Sequence, residues 1–384
     1  MRLAGLAALG LVTGCGGGGG GEEETGPKAL LKEYQNYVNL FGDIHVHTNF
    51  SDGDEAPDYA LRYARDITKL DFCCLTDHAE WMTQDNLVGL PYYRTLPAKY
   101  DDAGKFCVLY GFEWTSKYYG HRNVYSLDNQ IPILSSDLPE YATIDKFRQA
   151  LSGHDVITIP HHPMMPKEFR WWDYYNPSIE PVVEFYSKWG LSLYDGNERP
   201  LLTRKAGYGL YDALNNGQHY GLICSTDTHL SRPASRLKEC RPGALEYAEP
   251  GIAAVWATSH TREAIFDALK HRRCYGTTGS RINLQFTVNK SVMGSSIQSS
   301  SPPVIAFKAY SDVTITKITI VKFVNKTNTV IKTVLPNALE CEGLYTDDAF
   351  TQDASYLVRV DLSNTDMALS SPVQVKKVNT GFIV

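Results

Sequence analysis

The sequence predicts an α/β fold, a distorted (β/α)7 TIM-like barrel, followed by a small all-β sandwich. Between residues 40 and 285, seven short apolar runs alternate with segments whose apolar residues have helical spacing. Polar or charged residues close these runs, which is where barrel enzymes carry their chemistry. From about Leu284 the runs become β-branched and alternating, and no helical pattern separates them.

Composition and charge exclude several classes of protein. The chain has 384 residues, of which 43% are hydrophobic and 21% charged, so it is not an intrinsically disordered protein. The net charge of -6 argues against a basic nucleic-acid binder, and no stable nucleic-acid partner is expected. The oligomeric state is not determined by the sequence.

Residues 1–27 are predicted to be a signal and tether. Arg2 precedes the apolar run 3–12, and Gly14 stands immediately before Cys15. This pattern resembles a bacterial lipoprotein signal, in which Cys15 is lipidated and becomes the mature N-terminus. A glycine run and three glutamates follow, which is typical of a flexible tether. We therefore expect an exported bacterial lipoprotein, held in the cell envelope by its lipid anchor. The expected location is the outer membrane, with the protein facing the periplasm.

Residues 28–285 are predicted to form the barrel. Each of its runs reads as a buried strand, and the segments 54–69, 143–151 and 261–270 read as helices. The predicted strands are FGDIHVHT, DFCCLTDH, FCVLYGFEW, DVITIPHH, PVVEFYS, YGLICSTDTH and IAAVWATS.

Residues 286–384 are predicted to form the sandwich. Runs such as PVIAFKAYS and YLVRVDL alternate apolar and polar residues and are separated by Ser, Asn, Asp and Pro. These residues carry no motif typical of catalysis, so a structural or docking module is expected.

Acidic and histidine residues recur at six successive strand ends. His45 and His47 are two apart, so both imidazoles point to the same side of an extended chain, as two ligands of one metal require. Packing this many carboxylates and imidazoles together without cations would leave charges facing one another at high cost. The pattern therefore predicts a metal site. The residues of the pattern are His45, His47, Asp52, Asp77, His78, Glu113, His161, His162, Glu184, Asp227 and His229.

The ordered motifs H-x-H, S-D-G, D-H, Glu, P-H-H and D-x-H resemble the PHP (polymerase and histidinol phosphatase) superfamily of metal-dependent phosphohydrolases. GFEWTSKYYGHRNV, STDTHLSRP and TREAIFDALKHRRCYGTTGSRI resemble its DUF3604 branch. The resemblance implies a PHP barrel with two or three divalent ions, which are Zn, Mn or Fe.

The resemblance also implies which residues hold each ion. His45, His47, Glu113 and Asp227 would hold one. The second would share Glu113 and add Glu184 and one histidine of the P-H-H pair, His161 in preference to His162. Asp52, His78 and His229 would hold the third. Asp77 is expected to orient His78, and Trp189 stands where related chains have a histidine.

The mechanism expected from such a centre is hydrolysis of a phosphate mono- or diester, the reaction of a phosphoric ester hydrolase. Two ions about 3.5–4 Å apart lower the pKa of a bridging water and present hydroxide for attack on phosphorus. Basic groups near these loops would hold the phosphoryl oxygens, and His121, Arg122 and Arg232 are the candidates. The alternative for each is a loop salt bridge. Trp171 and Trp172 would either stack on a base or sugar, or fill a buried loop.

Two other functions remain open from the sequence. The same centre would also suit hydrolysis of a non-phosphate bond, either an amide or an ester. The chain would instead be a catalytically silent binding lipoprotein of the envelope if the metal only stabilised the barrel. Intact ligand positions argue against this last reading, because degenerate barrels lose several ligands.

Overall fold

The computed structural model describes residues 26–84, 89–237 and 251–379. The predicted signal, including Cys15, lies outside these residues. The architecture is mixed α/β, as predicted, and the strands of both predicted domains lie in one extended sheet and one small sheet. Within the described part of the chain, the helices are all too short or too polar to cross a membrane.

The strands of the first part surround the positions at which the polar residues follow. β1, β2 and β3 are neighbours and parallel, and β6 and β8 form a second parallel pair. The bounds are β1 Val38–Asp43, β2 Phe72–Cys74, β3 Cys107–Ser116, β4 Gly120–Ser126, β5 Val156–Pro160, β6 Val182–Ser187, β7 Gly190–Leu191, β8 Gly221–Cys224, β9 Ile252–Ala257 and β10 Cys274–Thr277.

The expectation of regular strand–helix alternation is wrong at two places. β4 follows β3 after a three-residue connection, so the chain returns antiparallel, and β5 pairs antiparallel with β4. β9 also runs antiparallel to β1. Among the described residues, β5 and β6 are not paired with each other. An isolated parallel bridge between Val46 and Thr228 joins the segments that follow β1 and β8.

The three predicted helices are confirmed, with close bounds. α5 and α7 begin directly after Thr143 and Thr261. The side-chain hydroxyl of each threonine accepts a hydrogen bond from the backbone N–H three residues later, and such a cap contributes about 1 kcal/mol to stability. α4 was not predicted. The bounds are α1 Pro27–Leu30, α2 Pro57–Arg62 continued by a π-helical turn Tyr63–Ile67, α3 Ala79–Gln84, α4 Leu90–Tyr100, α5 Ile144–Ala150, α6 Leu210–Asn215 and α7 Arg262–Lys270, with a 3-10 turn at Lys32–Asn36.

The second part is all β, as predicted. Its ladders are antiparallel apart from the pairing of β13 with β19. β14 is long enough to pair with four other strands. The bounds are β11 Asn283–Val288, β12 Ser291–Val292, β13 Ser296–Ser299, β14 Val304–Val324, β15 Thr327–Val334, β16 Ala338–Thr346, β17 Ala354–Leu362, β18 Met367–Ser370 and β19 Val373–Lys377.

The sheet is continuous across the predicted boundary at residues 285 and 286. β18 of the second part pairs antiparallel with β10 of the first. A shared apolar cluster contains Leu222 of β8 together with Leu357 and Leu369 of the second part, all fully buried. Strand pairing and side-chain packing thus connect the two parts.

Candidate metal centre

The polar strand-end residues converge at one edge of the first part. His45 and His47 follow β1, His78 follows β2, and His161 follows β5. Glu113 and His121 lie within β3 and β4, and Asp227 follows β8. His162 and Asp227 have positive φ angles of 33° and 56°, which are uncommon for side-chain-bearing residues and cluster at functional sites.

One carboxylate oxygen of Glu113 faces an inner group, which we define as His45, His47 and Asp227. Oε2 of Glu113 lies 3.2 Å from Nε2 of His45. Nε2 of His47 lies 3.3 Å from that same imidazole nitrogen. Oδ1 of Asp227 lies 3.5 Å from Nε2 of His45 and 3.4 Å from Nε2 of His47. The four residues predicted to share one metal are therefore brought together.

The other oxygen of Glu113 faces a histidine group, which we define as His121, His161 and His162. Oε1 lies 2.8 Å from Nδ1 of His121 and 3.5 Å from Nε2 of His161. One nitrogen of each of the three imidazoles lies within 4.8 Å of the others. His121, predicted to touch phosphate, thus lies among the possible ligands. Glu113 therefore contacts imidazoles on both sides, and its bridging role stays a prediction.

An outer group comprises Asp52, His78 and His229, the set predicted for a third metal. Oδ2 of Asp52 lies 3.0 Å from Nε2 of His229, and Oδ1 lies 3.7 Å from Nε2 of His78. Nδ1 of His47 lies 3.5 Å from Oδ1 of Asp52, so this imidazole stands between the inner and outer groups. Gly53 allows the turn, since a Cβ there would lie 2.4 Å from the His47 carbonyl.

Several imidazole nitrogens are buried with no hydrogen-bond partner among the described residues. They are Nδ1 and Nε2 of His161, Nδ1 of His162 and Nδ1 of His47. Nε2 of His161 and Nδ1 of His47 each have a carboxylate oxygen at 3.5 Å, without the geometry of a hydrogen bond. Unpaired buried polar atoms are costly, and a divalent ion accepting their lone pairs removes that cost. The donor set therefore fits divalent metal ions.

The electrostatics of His161, His162 and Glu113 favour the protonation states that bind metals. Burial and the charge of His45 lower the pKa of His161 to about 3, and burial and the charge of His161 lower the pKa of His162 well below its usual value. Burial raises the pKa of Glu113, but the charge of His78 and the hydrogen bond with His121 outweigh it and hold that pKa well below the usual value. Neutral imidazoles and ionised carboxylates are the forms that ligate metals.

Glu184 lies behind His45. Its carboxylate oxygens are 3.1 and 3.3 Å from Nδ1 of His45, the ring nitrogen remote from Glu113. A carboxylate in this position fixes the tautomer and orientation of a ligating histidine. Glu184 thus contacts His45 and lies outside the residue groups able to hold an ion, a position that suits orienting His45; its role as a direct ligand of the second metal stays a prediction.

His78 is oriented by a residue that the sequence did not single out. Its Nδ1 lies 2.6 Å from the Thr115 hydroxyl, which also donates to Oε1 of Glu113 at 2.9 Å. Asp77, expected to orient His78, instead accepts hydrogen bonds from Thr48 and Ser51 and fixes the loop that follows His47. Thr115 is the β3 residue two positions after Glu113, and this same-face spacing was the available signal.

The structure corrects the predicted roles of both arginines. Arg122 is fully buried, and its Nε donates to Glu180 at 2.8 Å while its other nitrogens donate to backbone carbonyls. It alternates with His121 along β4 and so points to the opposite face of the sheet. Nε of Arg232 lies 3.3 Å from the Tyr59 hydroxyl. Arg122 therefore forms a buried salt bridge, and Arg232 forms a loop contact.

A cavity of about 600 Å³ opens over the centre. Lys188 is the only lysine or arginine that lines it among the residues described, and its Nζ contacts Nδ1 of His229. Trp189, which stands where a histidine was expected, donates from Nε1 to Oδ2 of Asp227 at 2.7 Å. Lys188 directly follows β6, so the strand-end rule would have found it had lysine been included.

The profile of the family described as "Protein of unknown function (DUF3604)" matches residues 233–311. The predicted resemblance to the DUF3604 family is confirmed over these residues. The lipoprotein signal stays a prediction.

Curated relatives of this DUF3604-like chain come from chlamydiae. An uncharacterized protein of Chlamydia pneumoniae is 23% identical over 363 residues, and one of Chlamydia trachomatis is 24% identical over 365 residues. Each alignment covers 88% of this chain and 57% of the relative, so the chain spans little more than half the length of these relatives.

Two solved structures are similar to this chain. A two-domain protein from Bacteroides vulgatus, described as containing a predicted PHP-like metal-dependent phosphoesterase, is 16% identical with a TM-score of 0.48, over 86% of this chain and 92% of that one. The lesion-specific endonuclease EndoQ of Pyrococcus furiosus is 13% identical with a TM-score of 0.37, over 61% of this chain and 56% of that one.

Proposed function

We propose that this protein is a metal-dependent hydrolase of phosphate mono- or diesters. The observation that carries the proposal is the convergence of carboxylates and imidazoles on both oxygens of Glu113, beneath an open cavity. Bound divalent ions would supply an activated water and neutralise the departing oxygen. The residues that would hold two or three ions of Zn, Mn or Fe are His45, His47, Asp52, His78, Glu113, His121, His161, His162, Asp227 and His229.

Lys188 takes the place of the predicted arginines in binding phosphate. Its ammonium lies at the cavity wall beside His229, and its side chain is only 7% exposed, so a phosphoryl oxygen there would meet a partly desolvated positive charge. Charge-assisted hydrogen bonds of this kind are shorter and stronger than neutral ones. Trp189 fixes Asp227 from the same segment, which keeps that carboxylate facing the inner group.

The proposal is tested first by metal content. Mass spectrometry of the purified protein, grown with Mn and Zn and without a chelator, is expected to find two to three equivalents. Asp227→Asn is expected to lose at least one, whereas Asp155→Asn, which alters an exposed carboxylate paired with Lys270, should lose none. One equivalent or fewer, unchanged in Asp227→Asn, would favour the catalytically silent binding protein.

The second test concerns the bond that is cleaved. Lys188→Met is expected to lower kcat/KM for a phosphate ester by about 10–100-fold, since a hydrogen bond to a charged group contributes about 1.5–3 kcal/mol. Arg232→Met serves as the matched control and should change it by less than about twofold, because Arg232 contacts Tyr59 instead. Turnover of amides or carboxylic esters, with none of phosphate esters, would replace the phosphoesterase proposal.

We further propose the predicted barrel closure and envelope location. The Val46–Thr228 bridge supports a ring of strands around the centre. The Cys15 motif supports export with a lipid anchor in the envelope, facing the periplasm. Mass analysis of the mature N-terminus tests the anchor, since an unmodified Met1 on the cellular protein would exclude it.

A further inference from the structure

A second cavity, of about 450 Å³, adjoins the metal centre. It shares His78 and His121 with the first cavity, so the two form one continuous recess around these imidazoles. Thr115 also lines it, and the Thr115 hydroxyl contacts both His78 and Glu113. A group bound in the second cavity would therefore lie beside any phosphoryl group held at the centre.

Two large aromatic side chains line the second cavity and remain exposed. Trp81 is 43% exposed and Tyr118 is 46% exposed. By contrast, Trp171 and Trp172 are buried at 1% and 6% exposure, so these residues fill a buried loop and do not stack on a ligand. Exposed apolar surface gathered in a recess marks a binding site more often than surface scattered singly does.

Apart from Ala142, the remaining lining residues are polar and varied. Ser116, Ser136 and Asp137 supply hydroxyl and carboxylate groups, and Lys117 supplies an ammonium that lies 5.1 Å from the Tyr118 ring centroid. These groups can pair with both donors and acceptors on the edge of a ring, while Trp81 and Tyr118 offer faces for stacking. The chemistry suits a planar ring with polar substituents and is poorly matched to an aliphatic chain.

We propose that the second cavity binds the organic group of the substrate, and that this group is an aromatic or heteroaromatic ring. This inference rests on the proposed function for the phosphoryl group of the substrate. Binding of the ring does not depend on it, because Trp81 and Tyr118 line the second cavity and not the first. Trp81 lies next to the centre, with its ring centroid 6.0 Å from that of His78. A ring stacked on Trp81 would be close enough for a direct ester link to a phosphoryl group above the metal ligands.

The test measures binding of three non-hydrolysable probes to the metal-loaded protein by calorimetry: phenylphosphonate, methylphosphonate and benzoate. The wild-type protein is expected to bind phenylphosphonate about tenfold more tightly than methylphosphonate. Trp81→Ala should remove this advantage, because loss of one stacking partner costs about tenfold or more. Tyr92→Ala truncates an exposed ring on α4 outside the cavity and is the matched control. This variant should bind phenylphosphonate more tightly than methylphosphonate by the same factor as the wild-type protein.

The outcomes separate the two proposals. If methylphosphonate binds and phenylphosphonate binds no more tightly, the ring site is wrong and the phosphate site stands. If benzoate binds in a Trp81-dependent way and methylphosphonate does not bind, the ring site stands and the phosphate proposal fails. Unchanged phenylphosphonate affinity in both Trp81→Ala and Tyr118→Ala, or no binding of any probe, overturns the ring site.

Discussion

His45 shows how two carboxylates define the role of one imidazole. Glu184 contacts Nδ1 and Glu113 contacts Nε2, while the ring itself is fully buried. Burial disfavours the charged imidazolium, but the charges of Asp227 and Glu184 outweigh it and raise the pKa of His45 well above its usual value. A divalent ion at Nε2 would replace the proton there and leave the Nδ1–H bond to Glu184 in place.

Glu184→Gln is therefore expected to weaken metal binding without abolishing it. The amide oxygen can still accept the Nδ1 proton, but the negative charge that makes the ring a better ligand is lost, which typically costs 10–100-fold in affinity. Competition with a chromophoric chelator measures the change. If Glu184 were a direct ligand, the variant would instead lack one full equivalent of metal at saturation.

Arg122 contributes to stability rather than to substrate binding. Arg122→Met leaves Glu180 buried with Arg148 as its remaining ionic partner, and breaking a buried pair in this way costs about 3 kcal/mol. Urea unfolding is expected to show this loss, while the metal content stays at the wild-type value. A variant with wild-type stability and no turnover would return Arg122 to the phosphate-binding role.

Lys167 is buried, and its ammonium has no hydrogen-bond partner in the described part of the chain. Burial and the nearby charge of Arg122 lower its pKa to about 7. The folded protein therefore holds fewer protons than the unfolded chain between about pH 7 and 10.5, so this residue's destabilising effect is full at and below pH 7 and fades as the pH rises.

Lys167→Met is expected to stabilise the protein at pH 7 by up to about 4 kcal/mol, and by little near pH 10. Unfolding by urea at both pH values measures the difference. A loss of stability of equal size at pH 7 and pH 10 would show instead that the side chain has a favourable role in packing.

At the scale of elements, strands were predicted most accurately where the apolar run in the sequence is uninterrupted. β5, β8 and β9 consist of such runs and were found. β4 was missed because GHRNVYS places His121 and Arg122 in a strand whose two faces are both buried, one by the metal ligands and the other by the Glu180 ion pair. The alternation of its side chains was visible, but the burial of charged residues depends on partners distant in the sequence.

The same limit explains the errors at the centre. The sequence identified which residues converge, since parallel strands and same-face spacing bring strand ends together. Whether a carboxylate such as Glu184 meets a metal or a histidine depends on about 2 Å of side-chain placement, which strand spacing does not determine. Lys188 was missed for a different reason, because the strand-end pattern comprised only acidic and histidine residues, and the basic candidates came from other segments.

At the scale of the whole molecule, the two predicted domains share one framework. β18 completes the ladder of β10, and the hydroxyl of Tyr34, ahead of β1, donates to the carbonyl of Phe286 in β11 at 2.8 Å. Hydrogen bonds and buried apolar contacts therefore cross the boundary at more than one place. Neither part would lose these contacts without exposing backbone groups and apolar surface to water.

We expect the two parts to unfold together in a single calorimetric transition. Leu369→Ala, in the shared apolar cluster, should destabilise the whole transition by about 2–5 kcal/mol. Leu344→Ala, at an exposed position of β16, is the control and should have little effect. Two separate transitions, of which Leu369→Ala shifts only one, would show that the parts are energetically independent.

Glu113 has a consequence for how the protein takes up scarce metal. Its two oxygens belong to one rigid carboxylate, so an ion that orients the plane for the inner group also sets the oxygen that faces the histidine group. A first bound ion would thereby bear the entropic cost of ordering the Glu113 side chain, and a second ion would bind to a carboxylate that is already ordered. Under limiting supply, molecules would tend to be either empty or fully loaded, and half-filled centres would be rare.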